Sequence, residues 1–226
     1  GDTTLLREHY QGMKHWVEYL QTRTDDKGIV VREEPKGWCL GEWSTPHNRI
    51  EIPASLVNTA YFYHVTCIMA DVAGILNKKD DEHHLRTLVE TIRKNFNAAF
   101  YNEATHHYGE GKQGADVFAL AFGLVPEGKR EKVFAALLGH LEKVNYHFDT
   151  GILATPLLLQ VLTENGRADL AYKLMNQRDF PSYGYLADKK NNTLWETWNG
   201  DGNDEGCGHC HPMFGSVVAL FYHSLA

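Results

Sequence analysis

The sequence predicts an all-α chain of about eight helices, with one small β-hairpin in a long loop. Three observations carry that expectation. Apolar residues recur in steps of three and four over four separate segments. Two further stretches are apolar on more than one side, as helices with neighbours on both faces must be. Most intervals between these segments are short Gly, Asn or Pro turns. With 226 residues, 43% apolar and 23% charged, the chain has enough buried-type side chains for a real core, and a disordered class is excluded.

The first helix runs through Leu6, Tyr10, Met13, Val17 and Leu20, with Asp2 placed as its N-cap. Ala54 to Ile75 follows Pro53, a good residue at a helix start, and carries Leu56, Val57, Ala60, Tyr61, Val65, Ile68 and Val72 all round. Leu85, Leu88, Val89, Ile92 and Phe96 mark a third helix, whose first turn holds Asp80, Asp81 and Glu82 where the helix dipole favours anions. Asp116 to Leu124 is almost continuously apolar, and Val133, Leu137, Leu141 and Val144 repeat at helical spacing. Shorter helices are expected at Pro156–Thr163, closed by Asn165-Gly166, and at Ala168–Asn176. Phe214, Val217, Val218, Phe221 and Leu225 form the last.

Two regions break the period, residues 28–50 and 180–211. In the second, Tyr183–Ala187 and Thr193–Trp198 are expected to pair as a β-hairpin across residues 188–192. Irregular stretches this long in a compact helical domain usually carry function. No internal repeat, linker or boundary is visible, so residues 1–226 read as a single domain.

Charge and motif content exclude several classes. The net charge is −7, from 22 basic and 29 acidic residues, and no basic run exceeds two residues, so no nucleic-acid groove is expected. No stretch approaches the roughly 18 to 20 apolar residues of a membrane span, so no membrane partner is expected either. Gly1 to Thr4 has neither a basic head nor an apolar core, hence no signal peptide is expected in this chain. The compartment stays open, with a periplasmic or extracellular setting slightly preferred to the cytoplasm. Four cysteines (Cys39, Cys67, Cys207 and Cys210) are too few for a disulfide scaffold. Phosphate loops, Gly-x-Ser-x-Gly elbows and His-Glu-x-x-His are missing, so no cofactor is expected.

Trp38, Trp43, Trp195 and Trp198 lie in the two irregular regions, leaving only Trp16 on a periodic helix. A sugar presents a C–H face to an aromatic plane and hydroxyls to carboxylates, which Glu42-Trp43 and Trp195-Glu196-Thr197-Trp198 could supply. The competing reading has these rings packing loops against helix ends. In a strand, Leu194, Glu196 and Trp198 share a face, so Glu196 would stand between apolar groups. Desolvation there would raise its pKa and suit acid–base work; the alternative is a surface glutamate on an edge strand. Cys207-Gly-His-Cys210-His211 matches haem-attachment spacing and could offer zinc ligands, but no second ligand pair accompanies it. These residues are therefore expected to be ordinary loop residues, with no metal. His83-His84 and His106-His107 read as solvated.

A family resemblance rests on these same residues. Asn192-Thr-Leu-Trp-Glu-Thr-Trp-Asn199, followed by His211-Pro-Met-Phe-Gly-Ser-Val217, resembles the C-terminal part of the catalytic domain of bacterial α-L-rhamnosidases, glycoside hydrolase family 78. Supporting likenesses run in order along the chain: Tyr10-x-x-Met13-Lys14-x-Trp16, Leu40-Gly-Glu-Trp43, Ala119 to Pro126, Thr150-Gly-Ile152 and Pro181-Ser-Tyr-Gly-Tyr185. The resemblance implies an (α/α)6 toroid, here incomplete, with inner helices ringing a pocket. It makes Glu196 the general base that activates water, Trp43 an aromatic wall of the rhamnose pocket, and His211 a neighbour of the sugar hydroxyls. Glu42, Trp195 and Trp198 follow as weaker substrate-binding candidates. Three departures stand out: Glu42 replaces an Asp, Thr197 an Arg and Cys210 an Asn.

Twelve helices need well over 300 residues at about 30 each. The chain therefore reads as a fragment of an inverting α-L-rhamnosidase, carrying the base but not the general acid, and expected to be nearly inactive alone. Its partner would be a rhamnose-containing oligosaccharide or glycoside, and unpaired helix faces would favour self-association. The rival readings are another α/α-toroid glycosidase, a non-catalytic helical carbohydrate or protein interaction module, and a metal or haem protein.

Overall fold

The computed structural model describes residues 1–32, 40–46, 52–189, 193–199 and 208–225. Among them the chain is all-α, with nine α-helices and one 3-10 segment. Trp38, Cys39, Cys207 and most of the predicted hairpin turn lie outside the described residues. Two compact units divide the chain: one comprises residues 1–41 and 54–101, the other 42–53 and 102–226.

The first unit holds α1 (Thr4–Gln21), α2 (Ala54–Ile75) and α3 (Lys79–Phe100). The two amphipathic helices α1 and α3 both pack on α2 or its flank, and α2 is the apolar element between them. Its core joins Val17 and Leu20 to Leu56, Phe62 and Met69, and to Leu85, Ile92 and Phe96. The N-cap of α1 is Thr3, without a side-chain cap bond, and not the expected Asp2, which lies one residue earlier and accepts the Thr4 N–H at 2.9 Å. Asp81, in the acidic first turn of α3, accepts from the Tyr10 hydroxyl and the Lys14 ammonium, both at 2.7 Å, and so ties α1 to α3.

The second unit holds α4 (Gln113–Phe122), α5 (Arg130–Lys143), α6 (Ala154–Glu164), α7 (Ala168–Met175), α8 (Tyr183–Asp188), a 3-10 segment (Met213–Val217) and α9 (Val218–Leu225). Its most buried helices are α4 and α6: α4 packs on α5 and α6, while α6 also meets α7, the 3-10 segment and α9. Gly123 closes α4 in a left-handed conformation (φ 77°), the region a glycine enters without strain.

Two expectations are corrected here. Tyr183–Ala187 is not a strand but most of helix α8, begun by the buried Ser182 hydroxyl, which accepts the Tyr185 N–H at 3.0 Å. Residues 194–196 are not assigned as a strand and bond elsewhere: Glu196 N–H donates to Gly208 O and His211 N–H to Leu194 O, both at 2.9 Å. His107 is likewise not solvated. Its Nδ1 lies 2.6 Å from Asp116, a wholly buried carboxylate at the start of α4 that also accepts the Tyr108 N–H. Among the described residues no helix is long and apolar enough to cross a membrane.

Candidate functional site

The predicted site residues Glu42, Trp43, Trp195, Glu196, Trp198 and His211 all fall in the second unit. Residues 193–199, an irregular segment, carry three of them, and Trp198 fixes that segment in place. Its ring is 1% exposed, parallel to Phe148 (5.2 Å between centroids), edge-on to Tyr183 (5.3 Å) and tilted against Phe214 (4.4 Å). The indole N–H donates to Thr150 O at 2.9 Å. With every face covered, Trp198 is a wedge and leaves no plane for a sugar. Trp195 is half-buried and stacks on His209, centroids 4.0 Å apart.

Two positions before the wedge, Glu196 is half-buried and held by two uncharged donors. The Trp43 indole N–H reaches Oε1 at 2.7 Å, and the Gly208 N–H reaches Oε2 at 2.8 Å. A Cβ on Gly208 would stand 3.1 Å from that oxygen, so a glycine keeps the approach open. The Gly208 amide, then the Trp43 indole, favour the anion and hold the Glu196 carboxyl below the ordinary glutamate range, with a smaller contribution from nearby His211. This corrects the expected upward shift. The apolar neighbours in sequence matter less than the N–H groups that the fold brings in. An ionised carboxylate of this kind accepts a proton; it does not deliver one at neutral pH.

Trp43 itself is exposed over 40% of its surface, so its ring remains available to a ligand while its N–H is spoken for. His211 lies half-buried beside the carboxylate, and its Nδ1 is buried with no hydrogen-bond partner among the described residues. Cys210 is an exposed free thiol.

Glu42 faces the protein. It is buried, and its Oε1 accepts the Gly151 N–H at 2.6 Å and the Ala154 N–H at 3.1 Å, at the start of α6. Oε2 is buried without a hydrogen-bond partner among the described residues. Burial pushes this carboxyl up to about 7, against the N–H groups of Ala154, Gly151 and Leu153, which favour the anion. The next residue is bound to the same turn, because Ile152 N–H donates to Trp43 O at 2.9 Å. Sequence reasoning missed the parts played by Phe148, Thr150, Gly151, Tyr183 and Gly208. Only the Thr150-Gly-Ile152 likeness pointed toward this turn, and it said nothing of what the turn holds.

Comparison with known proteins adds an independent finding. The profile of the bacterial alpha-L-rhamnosidase 6 hairpin glycosidase domain matches residues 1–225. An alpha-L-rhamnosidase of Formosa agariphila is 32% identical over 206 residues, which is 91% of this chain and 22% of that protein. One from Streptomyces avermitilis is 33% identical over 232 residues, covering all of this chain and 22% of its own length. Among solved structures, the Streptomyces avermitilis alpha-L-rhamnosidase complexed with L-rhamnose superposes with a TM-score of 0.85 at 32% identity, over 98% of this chain and 21% of that one. The alpha-L-rhamnosidase from Dictyoglumus thermophilum gives 0.88 at 35% identity, over 98% and 25%. The chain thus spans about a fifth to a quarter of the length of these relatives.

Proposed function

Because this chain belongs to the bacterial α-L-rhamnosidase six-hairpin glycosidase family, we propose that the protein carrying it hydrolyses terminal α-L-rhamnosides, with Glu196 as general base. The observation that carries this reading is the ionised Glu196 carboxylate, held by Trp43 and Gly208 beside an exposed indole face. That face would pack on the C–H side of the sugar while the carboxylate draws a proton from the attacking water. His211 and Trp195, on the flanks of Glu196, would meet sugar hydroxyls and aglycone.

Hydrolysis with inversion also needs an acid to protonate the leaving oxygen, about 6.5–9.5 Å from the base. We place that acid outside these 226 residues, which makes this chain one part of a catalytic domain. Glu196→Gln in the longer protein is expected to lower kcat on an aryl α-L-rhamnoside by about 10²–10⁴-fold. The first-formed rhamnose should be the β anomer by NMR. Undiminished turnover in that variant removes Glu196 as base; an α product removes inversion. Robust turnover by the 226-residue chain alone would overturn the separation of acid from base. A panel of other aryl glycosides tests the sugar, and a better substrate among them would displace rhamnose.

A further inference from the structure

The turn at residues 149–154 reaches Glu196 by two routes. On one side Thr150 O receives the Trp198 indole N–H, which anchors the segment that carries Glu196. On the other, Ile152 N–H is bonded to Trp43 O, and the Trp43 indole N–H is bonded to Glu196 Oε1. A single carboxyl closes this circuit. Glu42 Oε1 gathers the N–H groups of Gly151, in the turn before α6, and of Ala154, a donor that the start of a helix leaves without an intrahelical partner. Gly151 lets the two backbones meet, since a Cβ there would stand 1.8 Å from Trp43 O.

We infer that Glu42 is a positioning residue for Glu196: by binding Gly151 and Ala154 it sets the place of Trp43, whose indole holds the Glu196 carboxylate. The inference rests on Glu196 being the base only for its catalytic consequence; the linkage stands on the geometry alone. Neither Glu42 oxygen faces solvent, so the side chain braces the protein and does not grip a hydroxyl of the substrate. Among the described residues, Asp149 is the titratable group beside Glu42, and His211 is the one beside Glu196.

Two readings on this chain test the linkage without turnover: the Trp43 indole N–H resonance and the titration of the Glu196 carboxyl, both by NMR. Glu42→Met removes the acceptor at similar volume. It is expected to move the indole resonance upfield and the Glu196 midpoint upward, toward the midpoint of Trp43→Phe, with no further movement in the double variant. Glu42→Gln keeps an acceptor oxygen for both backbone N–H groups and is expected to restore both readings. If Glu42→Met does not fold, Glu42→Asp withdraws the acceptor by one methylene and must move both readings in the same direction.

In the longer protein, Glu42→Met should cost about 10- to 100-fold in kcat with KM changed less than about twofold, and shift the acid limb of the pH profile upward. Unmoved indole and carboxyl readings in a folded Met or Asp variant overturn the inference. So does a loss confined to KM, which marks a substrate ligand. If instead Glu196→Gln leaves turnover intact while the two NMR readings move as stated, the linkage holds and the assignment of Glu196 as base fails.

Discussion

At Gly151 one hydrogen atom decides the geometry of the candidate site. Any larger side chain must push the 149–154 turn away from Trp43 O. Gly151→Ala is expected to destabilise the protein by about 1–3 kcal/mol, the usual cost of overpacking, seen as a lower urea midpoint at unchanged slope. Wild-type stability in that variant would show that the turn yields freely. At this scale the sequence was informative about side-chain types and silent about their charge. Glu196 and Trp43 could be singled out because a carboxylate flanked by indoles is unusual in a loop, and His211 only through the family resemblance. The downward shift of Glu196 could not be foreseen. Its two donors come from positions 153 and 12 residues away, whereas the alternation of Leu194 and Trp198 displays only apolar neighbours. Glu42 was visible as a carboxylate beside Trp43, but nothing in its neighbours signals that it turns inward onto Gly151.

Helices with a regular apolar stripe were legible because burial imposes its own period on the chain: α1 and α3 each present one such stripe, and α2 and α4 are apolar on several sides because other helices surround them. Helix α4 nevertheless begins at Gln113, before the apolar run. Gln113 is buried and exchanges hydrogen bonds with the Asp149 backbone and carboxylate and with His147 O, polar contacts that an apolar count does not register. Helix α8 was missed for a different reason. It spans 6 residues, too few to establish a period, and the spacing of Tyr183 and Tyr185 imitates strand alternation. Its Tyr183 forms one wall of the Trp198 cluster. Trp198→Ala is expected to cost about 3–5 kcal/mol and to release residues 194–199 from Thr150. Thermal unfolding gives the first quantity and amide exchange at Glu196 the second; a loss below about 1 kcal/mol would mean that Trp198 is not the anchor.

For the whole molecule, stability should fall as pH rises. Glu42 has an ordinary value near 4.5 when unfolded and about 7 when folded, so the native state binds the extra proton between those values. Its contribution is fully present below pH 4.5 and is lost as pH climbs through 7. The His107 imidazole, raised by the Asp116 carboxylate, adds in the same direction above its ordinary range. Asp81 and Glu196, both lowered, oppose only in acid, where stability is lost as they protonate. Urea unfolding across pH 5 to 8 should therefore slope downward with alkali, and Glu42→Gln should remove about 3 kcal/mol of that slope. An equal slope in both proteins would refute the buried, protonated state of Glu42. The all-helical class was readable because the longer segments obey one period, although residues 180–211 do not. The division into two compact units was not, because residues 42–53 join a unit otherwise built from residues 102–226, and no shift in composition marks that crossing.

The grip on Glu196 has a consequence for the ionic setting in which the protein can work. Dissolved ions weaken attraction between opposite charges beyond about 8 Å at physiological strength, and they compete for exposed pairs. Here the principal holders are the dipoles of an indole and an amide, and the rhamnoside proposed as substrate brings no charge of its own. Brine can mask the net −7 of the chain, but it finds little at the carboxylate to displace.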